Sequence, residues 1–129
     1  MSTEVKKLIP LFESYLSIKL VYFFGSRARD DAGPMSDYDF AVYTDGLVSR
    51  EISELKIELL GKITLALGTD DVDVVTLNTT RNCELKYNII QEGILIFERE
   101  PYQIIAEPRI LNEYFDFRYM MKKHNLTKA

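Results

Sequence analysis

Val21-Tyr22-Phe23-Phe24-Gly25-Ser26, then ten residues, then Asp37-Tyr38-Asp39-Phe40-Ala41-Val42-Tyr43, is the stretch whose reading decides the fold. An aromatic and β-branched run from Lys19 to Phe24 halts at Gly25, as a buried strand entering a turn should. Ser26 to Asp31 leaves room for one or two helical turns before the breakers Ala32, Gly33 and Pro34, and a second strand then runs from Asp37 to Tyr43. Side chains at i and i+2 of a strand share a face, so Asp37 and Asp39 present two carboxylates together at the sheet edge. Two adjacent anions call for a cation, and magnesium takes hard oxygen ligands, commonly one or two protein carboxylates plus substrate phosphates. Asp73, on a later strand, is the candidate third ligand and the candidate base for an acceptor's proton, with Asp71 as its rival. Gly25 lets the backbone approach a phosphate closely, and the N–H and hydroxyl of Ser26 would face phosphate oxygens. Arg27 and Arg29 suit either a triphosphate or a partner's acidic edge, and equally suit weak surface pairs with Asp30 and Asp31.

Outward from this centre the pattern alternates. Thr3 to Ile18 repeats apolar residues at helical spacing, with Pro10 placed to bend it. Ser49 to Leu67 carries a stripe of Ile52, Leu55, Leu59, Leu60, Ile63 and Leu67 closed by Gly68 as a C-cap. Val72 to Leu77 reads as a strand, Arg81 to Gln91 as a helix ended by Gly93, and Ile94 to Glu98 as a short strand. A last helix spans Ile110 to His124 with Pro108 near its first turn. Its apolar residues form two stripes, one of Ile110, Tyr114, Phe117 and Met121 and one of Leu111, Phe115 and Tyr119, more than a single core face needs. The expected fold is α/β or α+β, a small mixed sheet with helices packed on it and a C-terminal helix, in one domain over residues 1–129.

Composition narrows the function. With 16 Lys and Arg against 20 Asp and Glu the formal charge is -4, which disfavours binding to a nucleic-acid polyanion. No segment approaches a membrane span and no cleavable leader is evident, so a cytoplasmic location is expected. Cys83 has no disulfide partner and reads as a buried, reduced thiol in a helix. The lone His124 sits among lysines near the C-terminus, which leaves a histidine-based nucleophilic triad or a zinc site without support.

The run Gly25-Ser26-Arg27-Ala28-Arg29 with Ser36-Asp37-Tyr38-Asp39-Phe40 resembles the minimal nucleotidyltransferases of the DNA polymerase β superfamily. Val72 to Asn78 is similar to that family's third-acid strand, Asn88 to Glu98 to the segment after it, and Leu111 to Lys122 to its closing helix. Asp30 departs from the pattern, where many relatives carry glycine. The family includes MntA-like antitoxins that act beside a helical HEPN-type RNase toxin. The resemblance implies a nucleotidyltransferase fold, ATP as substrate, magnesium as a pair of ions, and transfer of AMP to a tyrosine of a HEPN toxin. So small a domain has little chain left for an acceptor pocket, which agrees that another protein brings the acceptor. Two rival functions stay open: adenylylation of a small molecule such as an aminoglycoside, and neutralisation of a toxin by occlusion without catalysis.

Overall fold

The structure is a computed structural model describing residues 3–29 and 37–124. In chain order the elements are α1 (Thr3–Lys6), α2 (Ile9–Glu13), β1 (Ile18–Phe24), β2 (Tyr38–Thr44), α3 (Ser49–Leu67), β3 (Val72–Thr76), α4 (Cys83–Glu92), β4 (Ile94–Glu98) and α5 (Tyr102–Lys123). The breakers Ala32, Gly33 and Pro34 lie outside the described residues. The sheet order is β3-β2-β1-β4. β1 runs antiparallel to both β2 and β4, and β2 runs parallel to β3, so the sheet is mixed as expected. The parallel pair is joined by α3, the crossover such a connection requires.

The period-2 geometry of the strands divides the core in two. Val21, Phe23, Phe40, Val42 and Val74 face one side and pack with Val5, Leu8 and Phe12 of the N-terminal segment and Leu55, Leu59 and Ile63 of α3. Leu20, Tyr22 and Ala41 face the other side and pack with Ile89 of α4 and Ala106 of α5. β1 is covered on both faces, which explains its unbroken apolar run where an edge strand would alternate. Beneath α5 the Tyr22 hydroxyl donates to Glu107 at 2.5 Å, so this buried ring keeps a partner.

The first helix expected from Thr3 to Ile18 is instead two short helices, with Pro10 in the first turn of α2 and Ile18 already in β1. A proline lacks the N–H needed inside a helix but costs nothing at its start, so the chain restarts there. α3 has the bounds read from the sequence: Glu51 accepts the Val48 N–H at 3.0 Å at its start, and Gly68 closes it at φ 69°. α4 is capped by Asn82, whose side chain accepts the Leu85 N–H at 3.0 Å. The last helix begins eight residues before the expected Ile110, at Tyr102, and carries Pro108 in its interior. Pro108 is exposed, so the Ile104 carbonyl it leaves without a partner can turn to water.

Of the two stripes on α5, Ile110 is buried and Tyr114 stacks on Tyr87 with ring centroids 4.0 Å apart. Phe115 and Tyr119 of the second stripe stay exposed. Cys83 is half-buried rather than buried, and its thiol donates to Glu113 at 3.2 Å; it opens α4 at the rim of the α4–α5 contact, where the helix periodicity alone does not set depth. Among the described residues no helix is long and apolar enough to cross a membrane.

Candidate active site

The site forms where β1 ends and β2 and β3 begin. Gly25 leaves β1 at φ 83°, a left-handed conformation that glycine adopts without strain. A Cβ at this position would fall 2.3 Å from the Asp39 carboxylate, so only glycine lets the turn lie against that acid. The Gly25 carbonyl accepts the N–H groups of Ala28 at 3.1 Å and Arg29 at 3.2 Å, winding Ser26 to Arg29 into a single turn. Among the described residues Ser26 itself makes no hydrogen bond, which leaves its N–H and hydroxyl uncommitted at the head of that turn.

Asp39 lies in register with Asp73 across the parallel β2–β3 pair, and both alternate onto the α4–α5 side of the sheet. Asp37 stands exposed two residues before Asp39. Burial first, then the charges of Asp37 and Asp73, push the Asp39 carboxyl up to about 6. The rival Asp71 is exposed just before β3, and its backbone carbonyl accepts the Tyr38 N–H at 2.8 Å at the start of the β2–β3 ladder. A half-buried carboxylate whose proton affinity is raised by two neighbouring acids is an electrostatic attraction for a hard divalent cation, and magnesium suits such oxygen donors. Among the described residues no group of three or more His, Cys, Asp or Glu is gathered closely enough to hold a metal ion, so the three acids do not form a ready-made ligand set.

Arg27 and Arg29 diverge. The Arg27 guanidinium sits 4.2 Å from the Tyr38 ring centroid, and the Tyr38 hydroxyl donates to Glu4 at 2.6 Å, tying the turn to α1. Arg29 helps line a cavity of about 250 Å³ between the Gly25 turn and α4, with Phe24, Leu85, Asn88, Ile89 and Glu92. The sequence reading gave Tyr38, Asn88 and Glu92 no role in the site. Residues 85, 88, 89 and 92 do share one helical face, but that periodicity alone does not say what the face meets.

The model of the family described as polymerase beta, nucleotidyltransferase matches residues 6–102, a span holding every element of this site. This chain belongs to the polymerase beta nucleotidyltransferase family. No protein of curated function matches the sequence. Several solved structures share the fold of this nucleotidyltransferase. A toxin-antitoxin crystal structure with AMP-PNP superposes at TM-score 0.78 with 21% identity, covering 95% of this chain and 94% of that one. A complex of a tri-AMPylated Shewanella oneidensis HEPN toxin with its MNT antitoxin does so at TM-score 0.72 and 21% identity, covering 93% and 91%. The toxin-antitoxin MntA-HepT superposes at 0.67 with 21% identity, covering 95% and 92%.

Proposed function

We propose that this nucleotidyltransferase is an antitoxin-type protein adenylyltransferase, which moves AMP from ATP to a tyrosine of a partner HEPN RNase toxin and so neutralises it in the cytoplasm. The observation that carries the reading is the placement of the Gly25 turn directly against Asp39, with Asp73 in register beside it and the charges of Asp37 and Asp73 both acting on that carboxylate. Likeness along nearly the whole chain to toxin-antitoxin structures, one with AMP-PNP and one with a tri-AMPylated toxin, supports the choice of nucleotide and acceptor.

In this reading the N–H and hydroxyl of Ser26 hold phosphate oxygens at the head of the turn, and Gly25 keeps that approach clear. Asp37, Asp39 and Asp73 are the residues that would hold magnesium, which when bound offsets charge on the phosphates and on the departing pyrophosphate. The tyrosine oxygen attacks the α-phosphorus, the bond to the β-phosphate oxygen breaks, and pyrophosphate leaves. Asp73 is exposed, so a hydroxyl carried by another protein can reach it and pass it the phenolic proton. The test is intact-mass spectrometry of the cognate HEPN-type toxin after incubation with this protein, ATP and magnesium. A gain of one or more AMP masses is expected, and none with the Asp37→Ala, Asp39→Ala variant. Complex formation and neutralisation without any mass gain would replace transfer by occlusion.

A further inference from the structure

On the α4–α5 side of the sheet, at the end of β2 far from the acids, lies a cavity of about 220 Å³. Its polar walls are Tyr43 of β2, Asn78, Lys86 of α4, and Arg109 and Glu113 of α5, with Leu77 and Ile110 between them. Tyr43 stands four residues along β2 from Asp39, which puts roughly 13 Å of strand between this cavity and the reaction centre. The Asn78 wall is fixed in place: its Oδ1 accepts the Thr44 N–H at 2.8 Å, and its Nδ2 donates to the Thr44 carbonyl at 2.8 Å.

Lys86 is the telling residue. It is 6% exposed, yet among the described residues its ammonium has one partner, Glu113 at 2.7 Å. An ammonium carries three N–H donors, so two of them are left to face the cavity. Arg109 lies one turn before Glu113 on α5, the spacing of a helical ion pair, but the Glu113 carboxylate is given to Lys86. Among the described residues Arg109 makes no ion pair or hydrogen bond. The Tyr43 hydroxyl and the second Nδ2 hydrogen of Asn78 have no acceptor there either. Two bases against one acid leave these walls one positive charge, in a chain whose formal charge is -4.

Water accepts from such donors but does not offset the charge. A carboxylate offsets the charge with two oxygens in one plane, whereas a phosphate turns three or more acceptor oxygens towards donors that arrive from the sheet and from two helices. We infer that this cavity is a binding site for the phosphate group of a small molecule, separate from the Gly25 turn. Lys86 and Arg109 pair with its charge, and Tyr43 and Asn78 donate to its remaining oxygens. Inorganic phosphate and a nucleoside monophosphate share this chemistry. The inference does not depend on the adenylyltransferase reading, because no residue of the cavity belongs to the reaction site.

The measurement is an NMR titration of the isotope-labelled full chain with inorganic phosphate, with AMP and, at equal ionic strength, with acetate, reading the side-chain amide of Asn78. A saturable shift with AMP, or with both AMP and phosphate, and none with acetate is expected. Arg109 is exposed, so Arg109→Gln should leave the fold intact while weakening the affinity roughly tenfold, the size of one lost charge-assisted hydrogen bond. Ser26→Ala should leave it unchanged. No saturable shift at Asn78, an equal response to acetate, or an affinity indifferent to Arg109→Gln overturns the site. A response abolished by Ser26→Ala overturns it too, by returning the phosphate to the Gly25 turn.

Discussion

At Gly25 two demands meet in one residue. The backbone must turn at φ 83°, and the Asp39 carboxylate must lie where a side chain would otherwise be, 2.3 Å from the position of a Cβ. Any substitution therefore displaces a site carboxylate, whereas the helices and the rest of the sheet have no stake in it. Gly25→Ala is expected to lower transfer by a factor on the order of 100 or more, since small misplacements of reacting groups carry costs of that size. Its far-UV circular dichroism should match the parent; a fully active Gly25→Ala protein would show that the close approach is dispensable. Tyr38 illustrates what only contacts disclose. In the sequence it is the residue between two acids, yet in the structure it carries Arg27 on its face and reaches Glu4 with its hydroxyl.

Among the elements, α4 and α5 are joined by a charge that the periodicity does not reveal. Lys86 is 6% exposed on α4, and its ammonium pairs with Glu113 of α5 at 2.7 Å. The same Glu113 oxygen accepts the Cys83 thiol at 3.2 Å, and these two partners together hold the Glu113 carboxyl below its ordinary range. Removing Glu113 leaves a buried ammonium unpaired, a change that costs about 3–5 kcal/mol in a fully buried site and less here, where Glu113 is half-exposed. Glu113→Ala should lose roughly 2 kcal/mol in urea unfolding. The double variant Lys86→Met, Glu113→Leu should recover most of it; equal losses in both would mean that shape rather than charge holds the helices together.

For the whole molecule the balance of site against stability is open to titration. Asp39 is raised from an ordinary 3.8 to about 6 in the folded chain, so between those values the folded state holds the extra proton. Stability should therefore fall as pH rises through that window, and above it an ionised Asp39 is a standing cost when no divalent cation is bound. Asp39→Asn should raise metal-free stability at about pH 7.5 by on the order of 1 kcal/mol, or a few degrees in Tm, after allowing for the group's partial exposure. Near pH 4 the two proteins should unfold alike, and a gain of equal size at both pH values would assign the effect to packing instead. The sequence by itself determined the alternation of strand and helix, the bounds of α3, and the placing of Gly25 just after β1 and of Asp39 at the start of β2, because these rest on periodicity, capping and spacing within a few residues. It misjudged the N-terminal helix and the start of α5, where a proline's effect depends on whether it stands in a first turn or on an exposed face. Only the tertiary structure decided the strand order, the register that sets Asp73 opposite Asp39, and the pairing of Lys86 with Glu113. Each of these depends on which distant segments share a register or a wall, and no local pattern encodes that.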